Sequence, residues 1–159
     1  MSCTTGKVIT YPHSRANFPN YSTYKITSHE KIAEVSPQGY ATYQRLDETI
    51  SDQMEAKGYA YHLAADLIVR YEISSGLGQS TRRSYYDRFD WYFPDANYWD
   101  QNNQQAEILL ELSLWDTEEK LVAWTGNADI TLKRRDSAEE LIKQKIIEIL
   151  AQLPPSGTP

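Results

Sequence analysis

Four carboxylates and eight aromatic rings share one short stretch of this chain: Asp87, Asp90, Asp95 and Asp100 stand among Tyr85, Tyr86, Phe89, Trp91, Tyr92, Phe93, Tyr98 and Trp99. Two carboxyls in unlike surroundings can cleave a glycosidic bond, one as acid and the other as nucleophile or base, and flat rings can stack on sugars. A denser set of oxygens could hold calcium. The spacing of these aspartates fits no calcium loop, and no pocket wall can be read from the sequence that would raise one carboxyl into the range of a general acid. The simpler reading is that the acids keep a tyrosine-rich segment soluble.

The other reactive residues are scattered. His13, His29 and His62 are the only histidines, none at helical or hairpin spacing from another, so they do not make a metal site. Ser75-Gly76-Leu77-Gly78 lacks the third glycine and the following helix of a phosphate cradle, and there is no Gly-x-Ser-x-Gly. Cys3 as a nucleophile would stand near a chain end with no base beside it. The chain is therefore read as a non-enzyme, with no catalytic residue, no metal and no cofactor.

What the aromatic segment offers instead is contact. Tyr and Trp give large area at small entropic cost and carry a polar tip, which enriches them at interfaces. Three readings stay open: a flap forming a second small core, a protein-contact surface, or a carbohydrate-stacking surface. Trp91-Tyr92-Phe93 run consecutively, so a strand there would be apolar on both sides, and one side would be left to meet a partner.

Composition bounds these readings. At 159 residues the chain is large enough for one core without metals or disulfides. A net charge of −6 argues against a nucleic-acid partner, because binding the phosphate backbone rests on clustered Lys and Arg. No run approaches the ~20 apolar residues of a membrane span. The single cysteine, Cys3, excludes an internal disulfide. Small Ser2 before it and Thr4-Thr5-Gly6 after it look like a bacterial lipoprotein whose signal peptide has been removed; the other reading is a free thiol on a frayed end. Several acyl chains would anchor stably where one binds marginally.

These residues need elements to position them. Residues 7–11 read as a strand ended by Pro12, and 21–27 as a second. Ser36-Pro37 starts a helix in which Tyr43, Leu46, Ile50 and Met54 recur on one face, and Gly58 ends it. Residues 66–73 alternate with Leu67, Val69, Tyr71 and Ile73 on one side. After the long stretch to Gln105, residues 107–115 and 121–132 form an antiparallel hairpin. Its first strand puts Ile108, Leu110, Leu112 and Leu114 on one face; its second does the same with Val122, Trp124, Gly126, Ala128, Ile130 and Leu132. Ser137 and Glu140 make a capping box for a last amphipathic helix, which ends at Leu153-Pro154-Pro155. This order suits an α+β two-layer sandwich, a mainly antiparallel sheet covered by two helices.

With those elements placed, the chain resembles a family of bacterial lipoprotein domains, domain of unknown function 4136. The matching stretches are Phe18-Pro19-Asn20-Tyr21-Ser22-Thr23-Tyr24-Lys25, Met54-Glu55-Ala56-Lys57-Gly58-Tyr59, Ala65-Asp66-Leu67-Ile68-Val69-Arg70-Tyr71, Leu112-Ser113-Leu114-Trp115-Asp116, and Lys120 through Ala128 with its Trp124-Thr125-Gly126. The segment 80–105 is longer and more aromatic than the family pattern, and Gln105-Ala106-Glu107 replaces its glycine-bearing strand start. The resemblance implies lipidation of Cys3 and brings no reaction or catalytic residue with it.

The expectation is thus a tether at 1–6, a single domain at 7–155 with an aromatic insertion at about 76–105, and a tail at 156–159. Its function would be that of a non-catalytic module of the cell envelope, held on the periplasmic face of an outer membrane through a lipid on Cys3. Tyr85, Tyr86, Phe89, Trp91, Tyr92, Phe93, Tyr98 and Trp99 would dock an envelope protein or a second copy. The alternative is a carbohydrate-binding or carbohydrate-active periplasmic domain using Asp87, Asp90, Trp91 and Trp99.

Overall fold

The computed structural model describes residues 8–27, 37–75, 105–133 and 136–157. In chain order they form β1 (Val8–Pro12), a 3-10 turn (Phe18–Asn20), β2 (Thr23–Ile26), α1 (Pro37–Ala56), β3 (Ala60–Tyr61), β4 (Leu67–Ser75), β5 (Gln105–Asp116), β6 (Leu121–Lys133) and α2 (Ala138–Leu150). The six strands make one sheet in the order β1-β6-β5-β4-β2-β3. Four of them, β1, β6, β5 and β4, pair antiparallel, and β2 runs parallel to both β4 and β3. With α2 over β6, β1 and β5 and α1 packed against α2, the molecule is the α+β sandwich that the patterning implies.

One face of every central strand is apolar, and that face is the core. Leu67, Val69, Tyr71 and Ile73 of β4 and Ile108, Leu110, Leu112 and Leu114 of β5 are buried with Ala128, Ile130 and Leu132 of β6. Tyr43, Leu46, Ile50 and Met54 come down from α1, and Ile142, Ile146, Ile149 and Leu150 from α2. The helix ends obey local rules. Gly58 takes φ 92° just past α1, a conformation that costs glycine no Cβ clash. Ser137 caps α2 by accepting a hydrogen bond from the Glu140 amide at 3.3 Å.

Two sequence readings need correction. Val122 does not share the core face of β6: the register slips between Leu114 and Trp115, so Leu114 opposes Trp124 while Trp115 opposes Val122. The extra residue turns the strand, burying both Ala123 and Trp124 and leaving Val122 40% exposed on the opposite face. Pro12, expected to end pairing, still stands opposite Trp124. It can do so because β1 is an edge strand, where a missing N–H breaks no inner ladder. The Ser36 cap and Lys7 lie outside the described residues.

Gly126 is where helix meets sheet. A Cβ there would stand 2.3 Å from Ile149 Cγ2 and 3.2 Å from the Trp124 ring, so only a glycine lets α2 sit this low on β6. Beyond α2 the chain returns as a clasp. The Ser156 amide donates to the Lys57 carbonyl at 2.8 Å and the Gly157 amide to the Tyr21 carbonyl at 3.1 Å. Tyr59 Oη donates to the Pro154 carbonyl at 2.8 Å, and Lys57 Nζ to the Ala151 carbonyl at 2.8 Å. These bonds hold residues 156 and 157, where a tail was expected, against the turn after α1.

Gly126→Ala is expected to lower unfolding free energy by about 1–3 kcal/mol, the usual cost of forcing a methyl into a filled core. Urea denaturation followed by tryptophan fluorescence checks this, with a shifted midpoint and an unchanged slope as the expected result.

Candidate functional site

The polar groups that converge in the described body gather at the end of the sheet where β5 turns into β6. Tyr21, brought there by the 3-10 turn before β2, donates its phenol hydrogen to Asp116 Oδ2 at 2.5 Å. The Asn17 amide donates to the same phenol oxygen at 3.2 Å. The other oxygen of Asp116 accepts from the amides of Glu118 and Glu119 at 2.9 and 2.8 Å, which shapes the hairpin turn. Asp116 is 3% exposed, and this set of donors satisfies its buried oxygens.

Asp66 makes the neighbouring joint. Its Oδ2 accepts from the Ser22 and Thr23 amides at 2.8 and 3.1 Å, while its own amide donates to Thr23 Oγ1 at 2.9 Å. Thr117 then donates through its hydroxyl to the Ala65 carbonyl at 2.8 Å. Three chain segments distant in sequence, around Tyr21, Asp66 and Asp116, are thereby locked together. They are the same segments that carry the family resemblance, and only contact in space shows why they go together.

Burial shifts several of the groups around these joints. Burial and the bond to Asp116 push the Tyr21 phenol up to about 12. Burial, with a smaller push from the neighbouring Tyr21, does the same to Tyr59, also about 12. Burial, then the adjacent Asp47 carboxylate, raises Tyr71, whose hydroxyl donates to Asp47 Oδ1 at 2.7 Å. All three stay protonated at neutral pH. Asp47 itself is raised by burial, against the lowering effect of the Tyr71 hydrogen bond. At Asp66 burial pushes upward, but the Ser22 and Thr23 donors outweigh it and hold the carboxyl below its ordinary value. Asp116 thus accepts from Tyr21 and from the turn it caps, and Asp66 Oδ2 from the start of β2.

The second feature is the face of the sheet turned away from α1 and α2. Residues directly opposite across the strands form rows: Ile9, Asn127, Glu111 and Glu72 in one, Tyr11, Thr125, Ser113 and Arg70 in the next. Leu109 precedes them, and Ile68, Trp115 and Val122 follow. The Arg70 guanidinium lies 5.5 Å over the Trp115 ring, a cation–π contact. The sequence signal for this face was present in the off-face positions of the alternating strands.

Cys3, Asp87, Asp90, Asp95, Asp100 and all eight aromatic candidates, Tyr85, Tyr86, Phe89, Trp91, Tyr92, Phe93, Tyr98 and Trp99, lie outside the described residues, as does His29. His13 and His62 serve local turns, each accepting through Nδ1 from the amide two residues on, Arg15 and Ala64, at 3.0 Å. Among the described residues no three His, Cys, Asp or Glu side chains gather to hold a metal ion, and no helix is long and apolar enough to cross a membrane.

A mainly antiparallel sheet roofed on one side by two helices, with buried phenols tied to acids and carbonyls at its rim, defines a small α+β domain. The chain belongs to the family DUF4136, a domain of unknown function, whose model matches residues 8–155. A comparison with curated proteins found no match. Among solved structures the chain is similar to the PelC dodecamer from Paraburkholderia phytofirmans, with 12% identity and TM-score 0.53 over 92% of this chain and 95% of that one. A methionine variant of the same dodecamer gives 11% and 0.52 with the same coverage. A PDZ domain protein from Parabacteroides distasonis gives 14% and 0.61 over 92% of this chain and 35% of its own length. At such identities the likeness is one of fold.

Acid stability should report the Asp66 joint. A carboxyl held below its ordinary value stabilises the fold above that value and loses its contribution as pH falls through the folded one. Asp66→Asn is expected to cost about 1.5–3 kcal/mol at neutral pH, the range for a hydrogen bond to a charged group, and to flatten the acid limb of the stability curve. Asp47, raised by burial, works with the opposite sign. Its contribution is present below the ordinary carboxyl range and is lost as pH rises through the raised value, so Asp47→Asn should remove that loss. Thermal melts across pH 3 to 8 on the three proteins check both signs.

Proposed function

We propose that this chain is a non-catalytic interaction domain of the bacterial cell envelope, tethered through a lipid on Cys3 to the periplasmic face of an outer membrane. The aromatic segment 85–99 docks an envelope protein. The observation that carries this reading is positional: the family match begins at residue 8, so the only cysteine stands just ahead of the domain, where a tether belongs. In sequence the aromatic residues stand between β4 and β5, neighbours in the sheet. Similarity to a protein that crystallises as a dodecamer supports an assembling role over a solitary one.

Mass spectrometry of the chain expressed with its natural upstream region is expected to find Cys3 acylated in the membrane fraction. An unmodified thiol in a soluble pool overturns the tether. Photo-crosslinkers at Trp91 and Trp99 are expected to capture a defined envelope protein, and titration of tryptophan fluorescence with peptidoglycan fragments is expected to show no change. Saturable quenching by the fragments would favour the carbohydrate-binding alternative.

A further inference from the structure

The clasp after α2 is held by polar contacts. Leu153 is buried, but Pro154 and Ser156 are half-buried and Pro155 and Gly157 exposed. Hydrogen bonds to the turn before β2 and the turn after α1 fix these four residues. The Tyr21 carbonyl accepts twice, from the Gly157 amide at 3.1 Å and from Ser156 Oγ at 3.2 Å. The Lys57 carbonyl accepts from the Ser156 amide at 2.8 Å, and Tyr59 Oη donates to the Pro154 carbonyl at 2.8 Å. A segment with few buried apolar contacts and hydrogen bonds near the surface lies at the low end of the range of local stability.

Tyr21 is gripped at both ends. Its carbonyl belongs to the clasp, while its phenol donates to Asp116 Oδ2 and accepts from the Asn17 amide. Asp116 is positioned without it, because Oδ1 holds the Glu118 and Glu119 amides of the hairpin turn. Release of the clasp therefore loosens one end of Tyr21, and the other end rests on a carboxylate that stays where it is.

We propose that the clasp and the Tyr21 phenol form one latch with a closed and an open position. In the open form residues 154–157 leave Tyr21 and Lys57, residues 17–21 move outward, and the phenol leaves Asp116, uncovering a carboxylate that the hairpin turn keeps in place. The sheet and both helices are common to the two forms. Ile142, Ile146, Ile149 and Leu150 seat α2 before the clasp begins, and β4, β5 and β6 pair without it. Gly157 sets the balance. Its φ of 60° lies in the left-handed region, and an added Cβ would meet nothing nearer than the Pro19 carbonyl at 4.0 Å. A side chain at this position thus strains the closed backbone without crowding the core. The latch is independent of the tether and of the aromatic segment.

Amide hydrogen exchange of the whole chain, followed by NMR where the rate reports the opening equilibrium, tests this. In the wild type the Ser156, Gly157 and Asn17 amides are expected to share one degree of protection, well below that of Leu110 and Leu112 in β5. Gly157→Ala should speed exchange at Ser156 and Asn17 by a common factor of about fivefold to thirtyfold, the cost of a non-glycine residue in the left-handed region. Tyr59→Phe, which removes the bond to Pro154, should speed both by about fivefold. Fraying of the clasp alone would speed Ser156 and leave Asn17 unmoved, and that result overturns the proposal. Exchange of Asn17 or Ser156 only at the rate of Leu110 and Leu112 overturns it as well, because the latch would then open only when the whole fold does.

Discussion

The fold rests on how closely α2 can approach β6. Gly126 leaves the space that Ile149 fills, with the Trp124 ring forming the side wall. Once that depth is set, the rest of α2 follows: Ile142, Ile146 and Leu150 reach the sheet, and Glu139 comes level with α1. Glu139 then receives a two-point bond from Arg45, Nε to Oε2 at 2.7 Å and Nη2 to Oε1 at 2.8 Å. Lys143 adds a second cation at 3.1 Å. A partly exposed pair of this kind contributes modestly by itself; its service is angular, keeping the two helices in one orientation over the strands.

The unusual tyrosine content acquires a reason in the described body. Tyr21, Tyr24, Tyr59 and Tyr71 are each buried, yet each sends its hydroxyl to a carboxylate or carbonyl: Asp116, Glu55, Pro154 and Asp47. A phenol fills volume like Phe and ends in a donor, so it can cross from core to rim and tie a distant segment there. Four such ties fasten the strand ends and helix ends of a sheet that has two short strands, β2 and β3, on one side. The same arrangement engages the acids near the core: Asp116, Glu55 and Asp47 each accept from a phenol.

Much of this could be read from the residues in order. The periodicity of Tyr43, Leu46, Ile50 and Met54, the alternation along β4 and β5, the Ser137 cap and the Gly58 stop are local signals, and they appear where local rules put them. What escaped depends on partners far away. The flip at Val122 arises from a register slip against Trp115, which no pattern within β6 contains. The parallel placement of β2 beside β4, and the bond from Tyr21 to Asp116, are properties of topology. Of the candidate site, the aromatic segment was legible as composition alone. The rows on the sheet face away from the helices were legible only after register aligned them.

Strand order carries a consequence for how the chain is made. β1 is translated first among the strands, and its neighbour β6 is translated last; Pro12 finds Trp124 only after about 110 further residues have been added. β1 therefore has no sheet to join until β6 is in place, and the closing of this long loop, with its entropic penalty, falls late in assembly.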